Sequence, residues 1–325
     1  MYENTVPEMT DILPAKEFLR TRVRKTPSDL SEALFERTGG PVILKWENLQ
    51  LCGAFKIRGA LYKMFSLSPE ERNRGVVTAS SGNHAQGVAT AASMLGVKAV
   101  ICVPGSCPET KKRAIGKRGG EYVQLKVIGE FYDEAEAEAK RLCDEAKMVY
   151  VSAYEDRHII AGQGTVGFEL LEEHPDLDVI LVPISGGGLI TGVTVAAKAL
   201  RQDIKVWGVY AKANPSWRNA WEKGFVEPVE EEKTLADALS GAASPVLFRY
   251  LKENLAGLVE VDEAEIASAI SFLHREHHQV AEGAGATGVA ALLSGKFVTG
   301  GKKAGVVVSG GNIDEQRLLK VLGIL

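Results

Sequence analysis

Short apolar runs rich in Val and Ile alternate with longer amphipathic segments along most of the chain. The short runs favour β-strands, because branched side chains suit a pleated and buried surface, whereas the amphipathic segments favour helices. This alternation predicts an α/β fold with parallel sheets covered by helices on both faces. The predicted strands are 42–44, 76–78, 99–103, 122–125, 149–151, 179–184, 206–209 and 305–308. The clearest predicted helices are 57–65, 132–147, 263–277 and 314–322.

A second pattern recurs three times: an apolar run ends, a loop rich in Ser and Gly follows, and a helix begins. In an open parallel sheet, such loops lie at the carboxyl ends of strands, where ligands bind. Glycine lets the backbone approach a ligand, and free N–H groups at a helix start favour an anion. An ordinary tight turn explains one such loop, but three in one chain favour a binding site. The loops contain residues 80–84, 185–188 and 309–312.

Lys56 lies between Phe55 and Ile57 at the start of a predicted helix. A lysine is normally solvated, so the ordinary interpretation is a surface charge with a buried stem. A lysine that forms a Schiff base must instead be neutral for part of its cycle, and burial near apolar groups lowers its pKa and permits this. Position 56 is therefore a candidate for covalent catalysis.

Composition narrows the class of protein but does not identify a reaction. The 325 residues are 45% hydrophobic and 25% charged, with a formal net charge of −4, as in an ordinary globular protein. Nothing here indicates a nucleic-acid or membrane partner. No basic stretch followed by an apolar run is visible near the first residue, so we expect a cytoplasmic location. The four cysteines form no CxxC pair and are expected to be reduced thiols.

Four segments in order resemble the serine/threonine dehydratase family of fold-type-II pyridoxal 5′-phosphate (PLP) enzymes, which also contains serine racemase. They are residues 53–60 (GAFKIRGA), 81–87 (SGNHAQG), 185–189 (SGGGL) and 309–312 (SGGN). The resemblance covers nearly the whole chain. It implies a fold similar to the tryptophan synthase β-subunit, with two domains that each contain a largely parallel sheet flanked by helices. The implied division is a large PLP-binding domain of residues 1–47 and 151–325 and a small mobile domain of residues 48–150.

The resemblance also implies PLP as the cofactor and assigns the residues that hold it. Lys56 would bond covalently to the cofactor, Phe55 would pack against its ring, and Asn83 would hydrogen-bond its phenolic oxygen. Ser309 would face the pyridine nitrogen, and Glu282 would lie near the ring, although Gly283 replaces the proline that usually follows it. The phosphate would bind in the loop formed by Ser185, Gly186, Gly187, Gly188 and Leu189.

The first loop is expected to receive the substrate carboxylate through N–H groups and hydroxyls. Its residues are Ser80, Ser81, Gly82, Asn83 and His84. Ser81 is a second catalytic candidate, because a serine at the matching position serves as an acid and base in the racemase branch. The more ordinary role for Ser81 is a hydrogen bond to the carboxylate.

The implied reaction is dehydration of L-threonine, L-serine or a related β-hydroxy amino acid to a 2-oxo acid and ammonia. A serine-type racemase is the enzymatic alternative, and a non-catalytic binder on the same scaffold is a third possibility. The family resemblance also implies a homodimer or homotetramer. No metal ligands are predicted, because the run 210–215 lacks the acidic cluster that binds a divalent cation in many relatives. Residues 235–244 also depart from the common pattern, which leaves the choice of substrate open.

Three other patterns have ordinary structural interpretations. The GxGxxG pattern of residues 162–167 does not follow a strand, which favours helix packing over dinucleotide binding. Residues 274–278 (HREHH) lie on a charged helix, so a solvated face is favoured over a metal site. Trp217 and Trp221 are spaced as neighbours on a helix, where core packing is the expected role.

Overall fold

The computed structural model describes residues 4–325, so the first three residues of the predicted large domain lie outside the described part. The described chain contains two sheets and helices on both sides of them. The strands are β1 Ser28–Leu30, β2 Val42–Trp46, β3 Val76–Ala79, β4 Ala99–Val103, β5 Val123–Val127, β6 Val149–Tyr150, β7 Val179–Pro183, β8 Lys205–Ala211, β9 Gly257–Val261 and β10 Ala304–Val308. The helices are α1 Met9–Leu19, α2 Glu32–Thr38, α3 Lys56–Phe65, α4 Pro69–Arg74, α5 Asn83–Leu95, α6 Glu109–Gly119, α7 Tyr132–Ala146, α8 Arg157–Glu173, α9 Gly188–Leu200, α10 Ser216–Lys223, α11 Pro245–Asn254, α12 Glu263–His277, α13 Gly283–Leu293 and α14 Glu315–Val321.

The larger sheet has six strands in the order β1-β2-β10-β7-β8-β9. All neighbouring strands in it are parallel except β1, which pairs with β2 in the antiparallel sense. The smaller sheet has four parallel strands in the order β5-β4-β3-β6. Two largely parallel sheets flanked by helices confirm the predicted α/β class, because parallel strands need crossover helices on their faces.

The predicted strands and helices are confirmed to within about two residues at their ends. The pattern missed β1 and β9, which form the two edges of the larger sheet. Strand β1 has only three residues, two of which are exposed, and strand β9 is buried at alternate positions only. Edge strands carry fewer buried apolar residues than central ones, so their signal in the sequence is weak.

Helix α3 packs closely against α8 through glycine contacts. A Cβ atom at Gly59 would lie 2.4 Å from the Gln163 side chain, and one at Gly162 would lie 2.6 Å from the Cα of Gly59. The GxGxxG pattern therefore lies within α8, and its first glycine lets α8 pack closely against α3, in agreement with the predicted packing role. Helix α3 also packs against α5, which flanks the smaller sheet. The predicted domain boundaries at 47/48 and 150/151 stay a prediction, because α3 contacts elements on both sides of them.

A buried cluster of charges fixes the first turn of α3. The Arg58 guanidinium donates two hydrogen bonds to Glu47, both at 2.8 Å, and two to Glu169, at 2.7 and 2.9 Å. The Lys45 ammonium donates to the same Glu169 carboxylate at 2.8 Å. Burial would by itself lower the pKa of Arg58, but the two carboxylates raise it well above its usual range. The cluster joins β2, α3 and α8 at the residue that lies two positions after Lys56.

The histidine-rich end of α12 corrects one prediction. His277 is half-buried rather than part of a solvated face: its Nε2 lies 2.9 Å from the Ser31 hydroxyl, and its ring packs 5.4 Å from the Trp46 ring. Among residues 4–325, no three His, Cys, Asp or Glu side chains are grouped so that they could hold a metal ion. No helix within the same range is long and apolar enough to cross a membrane.

Candidate active site

Lys56 is the first residue of α3 and is partly buried. Its Nζ atom donates a hydrogen bond of 2.7 Å to the carbonyl oxygen of Ala153 and lies 5.2 Å from the centre of the Phe55 ring. Burial lowers the pKa of Lys56 to about 8, and the nearby Glu282 carboxylate opposes this shift. A buried amine with a lowered pKa is a candidate nucleophile and base.

The carboxyl end of β10 lies directly beside the segment that carries Lys56. The Phe55 N–H donates to the Ser309 carbonyl oxygen at 3.1 Å, and Ala54 forms an isolated bridge with Gly310. Ser309 is buried and carries a neutral hydroxyl. This contact brings the third glycine loop to the proposed nucleophile.

The loop of residues 185–189 lies between β7 and α9. Gly187 has φ +103°, a conformation that favours glycine, and α9 begins at the next residue. The N–H groups of residues 187–189 have no acceptor within the described chain, as expected for the start of a helix. Such a helix start attracts an anion.

Three residues whose contacts with this loop the sequence did not predict support it from outside. The Trp217 indole N–H donates to the Ser185 carbonyl oxygen, so this buried tryptophan packs in the core, as predicted, and also holds the loop. The Tyr154 ring packs so closely on Gly186 that a Cβ atom there would lie 2.5 Å from the ring. Ser244, at the end of the divergent run 235–244, donates its N–H to the Gly186 carbonyl oxygen at 3.3 Å. These contacts join residues that are distant in sequence, so only the folded structure reveals them.

Asn83 is the first residue of α5 and connects two of the other loops. Its Nδ2 donates to Glu282 at 2.7 Å, and its Oδ1 accepts from Asn312 Nδ2 at 2.8 Å. Burial raises the pKa of Glu282 to about 7, and Asp237 adds to the shift, whereas the hydrogen bond from Asn83 opposes it. The structure therefore brings a carboxyl group that can be neutral to within electrostatic reach of Lys56.

The remaining residues of the first loop form the start of α5. The Ser80 hydroxyl accepts from the Gly82 N–H at 3.3 Å, and Ser81 is half-buried. Burial raises the pKa of the Cys107 thiol, and a hydrogen bond with Ser81 opposes this shift. His84 is buried and its Nε2 lies 2.9 Å from the Val151 carbonyl oxygen.

His84 is neutral at physiological pH. Burial lowers the pKa of its imidazole to about 3, and the Lys56 ammonium adds to the effect. The contact with the Val151 carbonyl requires a proton on Nε2, so Nδ1 carries a lone pair, and that buried atom has no partner within residues 4–325. A buried orphan acceptor of this kind indicates a polar occupant of the site.

One ion pair connects the divergent run 235–244 with the helices of the smaller sheet. The Lys111 ammonium of α6 lies 3.4 Å from the Asp237 carboxylate, and Arg317 of α14 lies 3.5 Å from the same group. Both Lys111 and Asp237 are within electrostatic reach of Glu282. Because the Lys111 and Asp237 side chains are 37% and 45% exposed, the pair lies on the solvent side of Glu282, at the mouth of the proposed site.

The donors and acceptors present fit PLP. A buried amine matches its aldehyde, and the unpaired N–H groups of residues 187–189 match its phosphate. The second Nδ2 hydrogen of Asn83 has no acceptor within the described chain and matches the phenolic oxygen. A neutral serine at position 309 suits an unprotonated ring nitrogen. Each predicted cofactor residue has chemistry that agrees with its predicted role, and the individual roles stay predictions.

Comparison with known proteins identifies the family. A family model described as pyridoxal-phosphate dependent enzyme matches residues 19–310, and the chain belongs to that family. The L-threonine ammonia-lyase of Thermotoga maritima is 44% identical over 315 residues, which are 97% of this chain and 78% of that protein. The catabolic L-threonine dehydratase TdcB of Escherichia coli is 36% identical over 318 residues, which are 97% of this chain and 96% of that protein.

Among solved structures, maize serine racemase matches with a TM-score of 0.92 at 32% identity and covers 98% of this chain and 97% of its own. The predicted family, fold class and cofactor are thus confirmed, and the chain is a PLP-dependent enzyme.

Proposed function

We propose that the chain is an ammonia-lyase that converts L-threonine, L-serine or a related β-hydroxy amino acid to a 2-oxo acid and ammonia, with PLP held by Lys56. The observation that carries this proposal is the partly buried Lys56 amine, which has a lowered pKa and lies beside the loop of residues 309–312. The names of the two relatives, both threonine ammonia-lyases or dehydratases, support a lyase on an amino-acid substrate.

When bound, PLP supplies an aldehyde that condenses with amines and a ring that withdraws electron density from the substrate Cα. With a pKa of about 8, Lys56 keeps about one tenth of its amine neutral at pH 7, which is enough for nucleophilic attack. As a free amine, Lys56 would donate to the Ala153 carbonyl oxygen, as it does in this structure. From there its Nζ atom can accept the Cα proton and return a proton to the leaving hydroxyl.

The residues around Lys56 bind and orient the substrate and the cofactor. The start of α5, with Ser80 to His84, offers N–H groups and hydroxyls to the substrate carboxylate. The start of α9 offers N–H groups to the cofactor phosphate. Ser309 cannot keep a proton on the pyridine nitrogen as an aspartate would, which makes the ring a weaker acceptor of electrons. A neutral partner at position 309 would therefore suit elimination of the β-hydroxyl.

A racemase remains the second candidate because Ser81 carries a hydroxyl in the proposed substrate loop, where it hydrogen-bonds with the Cys107 thiol. A racemase needs an acid and base on the opposite ring face from Lys56. The alternative is supported by the likeness to maize serine racemase. The two threonine ammonia-lyase or dehydratase relatives favour the lyase.

The two candidates differ in their products. The purified chain, loaded with PLP, is incubated separately with L-threonine and L-serine, and 2-oxo acid, ammonia and the D-isomers are measured. We expect equal amounts of 2-oxo acid and ammonia and little D-isomer, with loss of both products in Lys56→Ala. Accumulation of D-amino acid without ammonia would instead establish the racemase.

We further propose a cytoplasmic homodimer or homotetramer. Support comes from exposed apolar side chains that lie close together in sequence on β1 and α2, Leu30 at 52% and Phe35 at 47% exposure. Sedimentation velocity at micromolar concentration measures the assembly, and a single species at 34.9 kDa would contradict this part of the proposal.

A further inference from the structure

The side-chain amide of Asn312, to which the sequence assigned no role, has a fixed orientation. Its Nδ2 atom donates to two carbonyl oxygens, that of Cys52 at 2.8 Å and the side-chain oxygen of Asn83 at 2.8 Å. A carbonyl oxygen can only accept, so rotating the amide would place an oxygen against both acceptors. The nitrogen end of Asn312 must therefore face Asn83.

The orientation of Asn312 determines that of Asn83. Because Asn83 Oδ1 accepts from Asn312, its Nδ2 lies at the other end and donates to Glu282 Oε1 at 2.7 Å. The reverse arrangement would place two N–H groups together at one end and two oxygens together at the other. The three side chains thus form an orientation relay, Asn312–Asn83–Glu282, with one direction of donation.

Glycine residues make room for both ends of this relay. At Gly53, with φ +72°, a Cβ atom would lie 2.6 Å from Asn312 Oδ1. At Gly310, a Cβ atom would lie 2.4 Å from Glu282 Oε1. The main chain therefore approaches each terminal side chain closely, which leaves little freedom for either to turn away.

We propose that Asn312 is a positioning residue that turns the donor end of Asn83 toward the phenolic oxygen of the cofactor. The relay uses one Nδ2 hydrogen of Asn83 on Glu282 and leaves the other free for that oxygen. The inference rests on the proposed function, because it takes Asn83 as the partner of the ring oxygen. A donor at that place favours the ionised oxygen and hence the visible absorption of the bound cofactor.

The direct test is Asn312→Asp, which replaces the donor with an acceptor of the same size. Asn83 should then turn its Nδ2 to the new carboxylate and present its oxygen to the cofactor. We expect the visible band of the bound cofactor to weaken in favour of a near-ultraviolet band. We also expect a fall of roughly tenfold to a hundredfold in ammonia release, the loss of one hydrogen bond to a charged group. An unchanged spectrum would overturn the proposal.

Two further variants distinguish a change in the orientation of Asn83 from poor folding of the aspartate variant. Asn312→Ala removes the donors without adding charge, and we expect a mixed spectrum. In the double variant Asn312→Asp with Glu282→Gln, the glutamine can donate to Asn83 Oδ1, so Asn83 has a partner at both ends of the reversed relay, although the Cys52 carbonyl oxygen still lacks its donor. We expect its melting temperature to rise above that of Asn312→Asp while the visible band stays weak. Recovery of both together would show a merely structural role.

Asn254→Asp is the matched control, because half-buried Asn254 donates through Nδ2 to a single backbone oxygen, that of Tyr250, at 2.8 Å at the end of α11. It should keep the spectrum of the unmodified chain, and a similar spectral change in it would overturn the proposal. An unmodified chain that binds no PLP, or that binds it and releases no ammonia, would refute the proposed function instead, so the two failures are distinguishable.

Discussion

The charge cluster beneath Lys56 makes a quantitative prediction about stability. In Arg58→Met, an apolar side chain of similar length replaces the guanidinium between Glu47 and Glu169. Among residues 4–325, Glu47 would keep the Thr26 hydroxyl as its one side-chain partner, and Glu169 would keep Lys45. The side chains of Arg58 and Glu47 are 0% exposed, so water cannot replace the lost hydrogen bonds.

Removing one partner of a buried ion pair costs about 3–5 kcal/mol, because the other charge stays buried without compensation. The unfolding entropy of a chain of 325 residues is roughly 0.7 kcal/mol/K at the usual value per residue. The melting temperature of Arg58→Met should therefore fall by about 4–7 °C. Arg58→Lys should also be destabilised, because one ammonium cannot form the paired hydrogen bonds to both carboxylates.

Thermal unfolding followed by circular dichroism, with PLP at a fixed concentration, measures this difference. The matched control is Arg20→Met, whose side chain is 63% exposed and, within residues 4–325, forms an ion pair with Glu17 alone. We expect it to change the free energy of unfolding by less than about 0.5 kcal/mol. If Arg58→Met melts within about 1 °C of the unmodified chain, the cluster does not stabilise the first turn of α3 and the reasoning is wrong.

Three further predictions concern pH, the mouth of the site and helix packing. Because burial raises the pKa of Glu282 from 4.5 to about 7, the folded chain keeps a proton there that the unfolded chain loses, so stability falls as pH rises through this range. In urea titrations without PLP, the free energy of unfolding of Glu282→Gln should exceed that of the unmodified chain by about 3 kcal/mol at pH 8. At pH 4 the two free energies should be equal. In steady-state assays, Lys111→Glu should raise KM by up to about fivefold with little change in kcat. The added change Asp237→Lys should restore KM, and a KM that stays high would argue against the ion pair. Gly59→Ala should lower the free energy of unfolding by at least about 2 kcal/mol. The control is Gly116→Ala, where a Cβ atom meets nothing within 4 Å, and it should raise the free energy of unfolding by about 0.5–1 kcal/mol. Equal effects of the two changes would contradict the close packing of α3 on α8.

The sequence predicted the central strands and the long helices because their apolar residues repeat with a clear period. It also predicted which loops end at the site, since the carboxyl ends of parallel strands share one edge of a sheet. Because no strand precedes residues 162–167, the sequence correctly indicated helix packing rather than a dinucleotide site for this GxGxxG pattern. Lys56 was a weak candidate from its neighbours alone, and the family resemblance made it a strong one.

The remaining features depend on contacts between residues distant in sequence. Asn312 lies in a predicted loop, but only the fold brings its amide to Asn83, and no local pattern indicates that meeting. Tyr154 and Trp217 support the loop of residues 185–189 from two other segments of the chain. His277 was assigned to a solvated face because its neighbours are charged, whereas a packing partner, Trp46, comes from β2.

The central claim is that the Lys56 amine holds the cofactor. Reduction of the PLP-loaded chain with borohydride fixes the cofactor permanently on its lysine, and peptide mass spectrometry then locates the label. The account predicts one phosphopyridoxyl group per chain, on the peptide that contains Lys56, and no label at this position in Lys56→Ala. A label on any other lysine, with Lys56 unmodified, would contradict it.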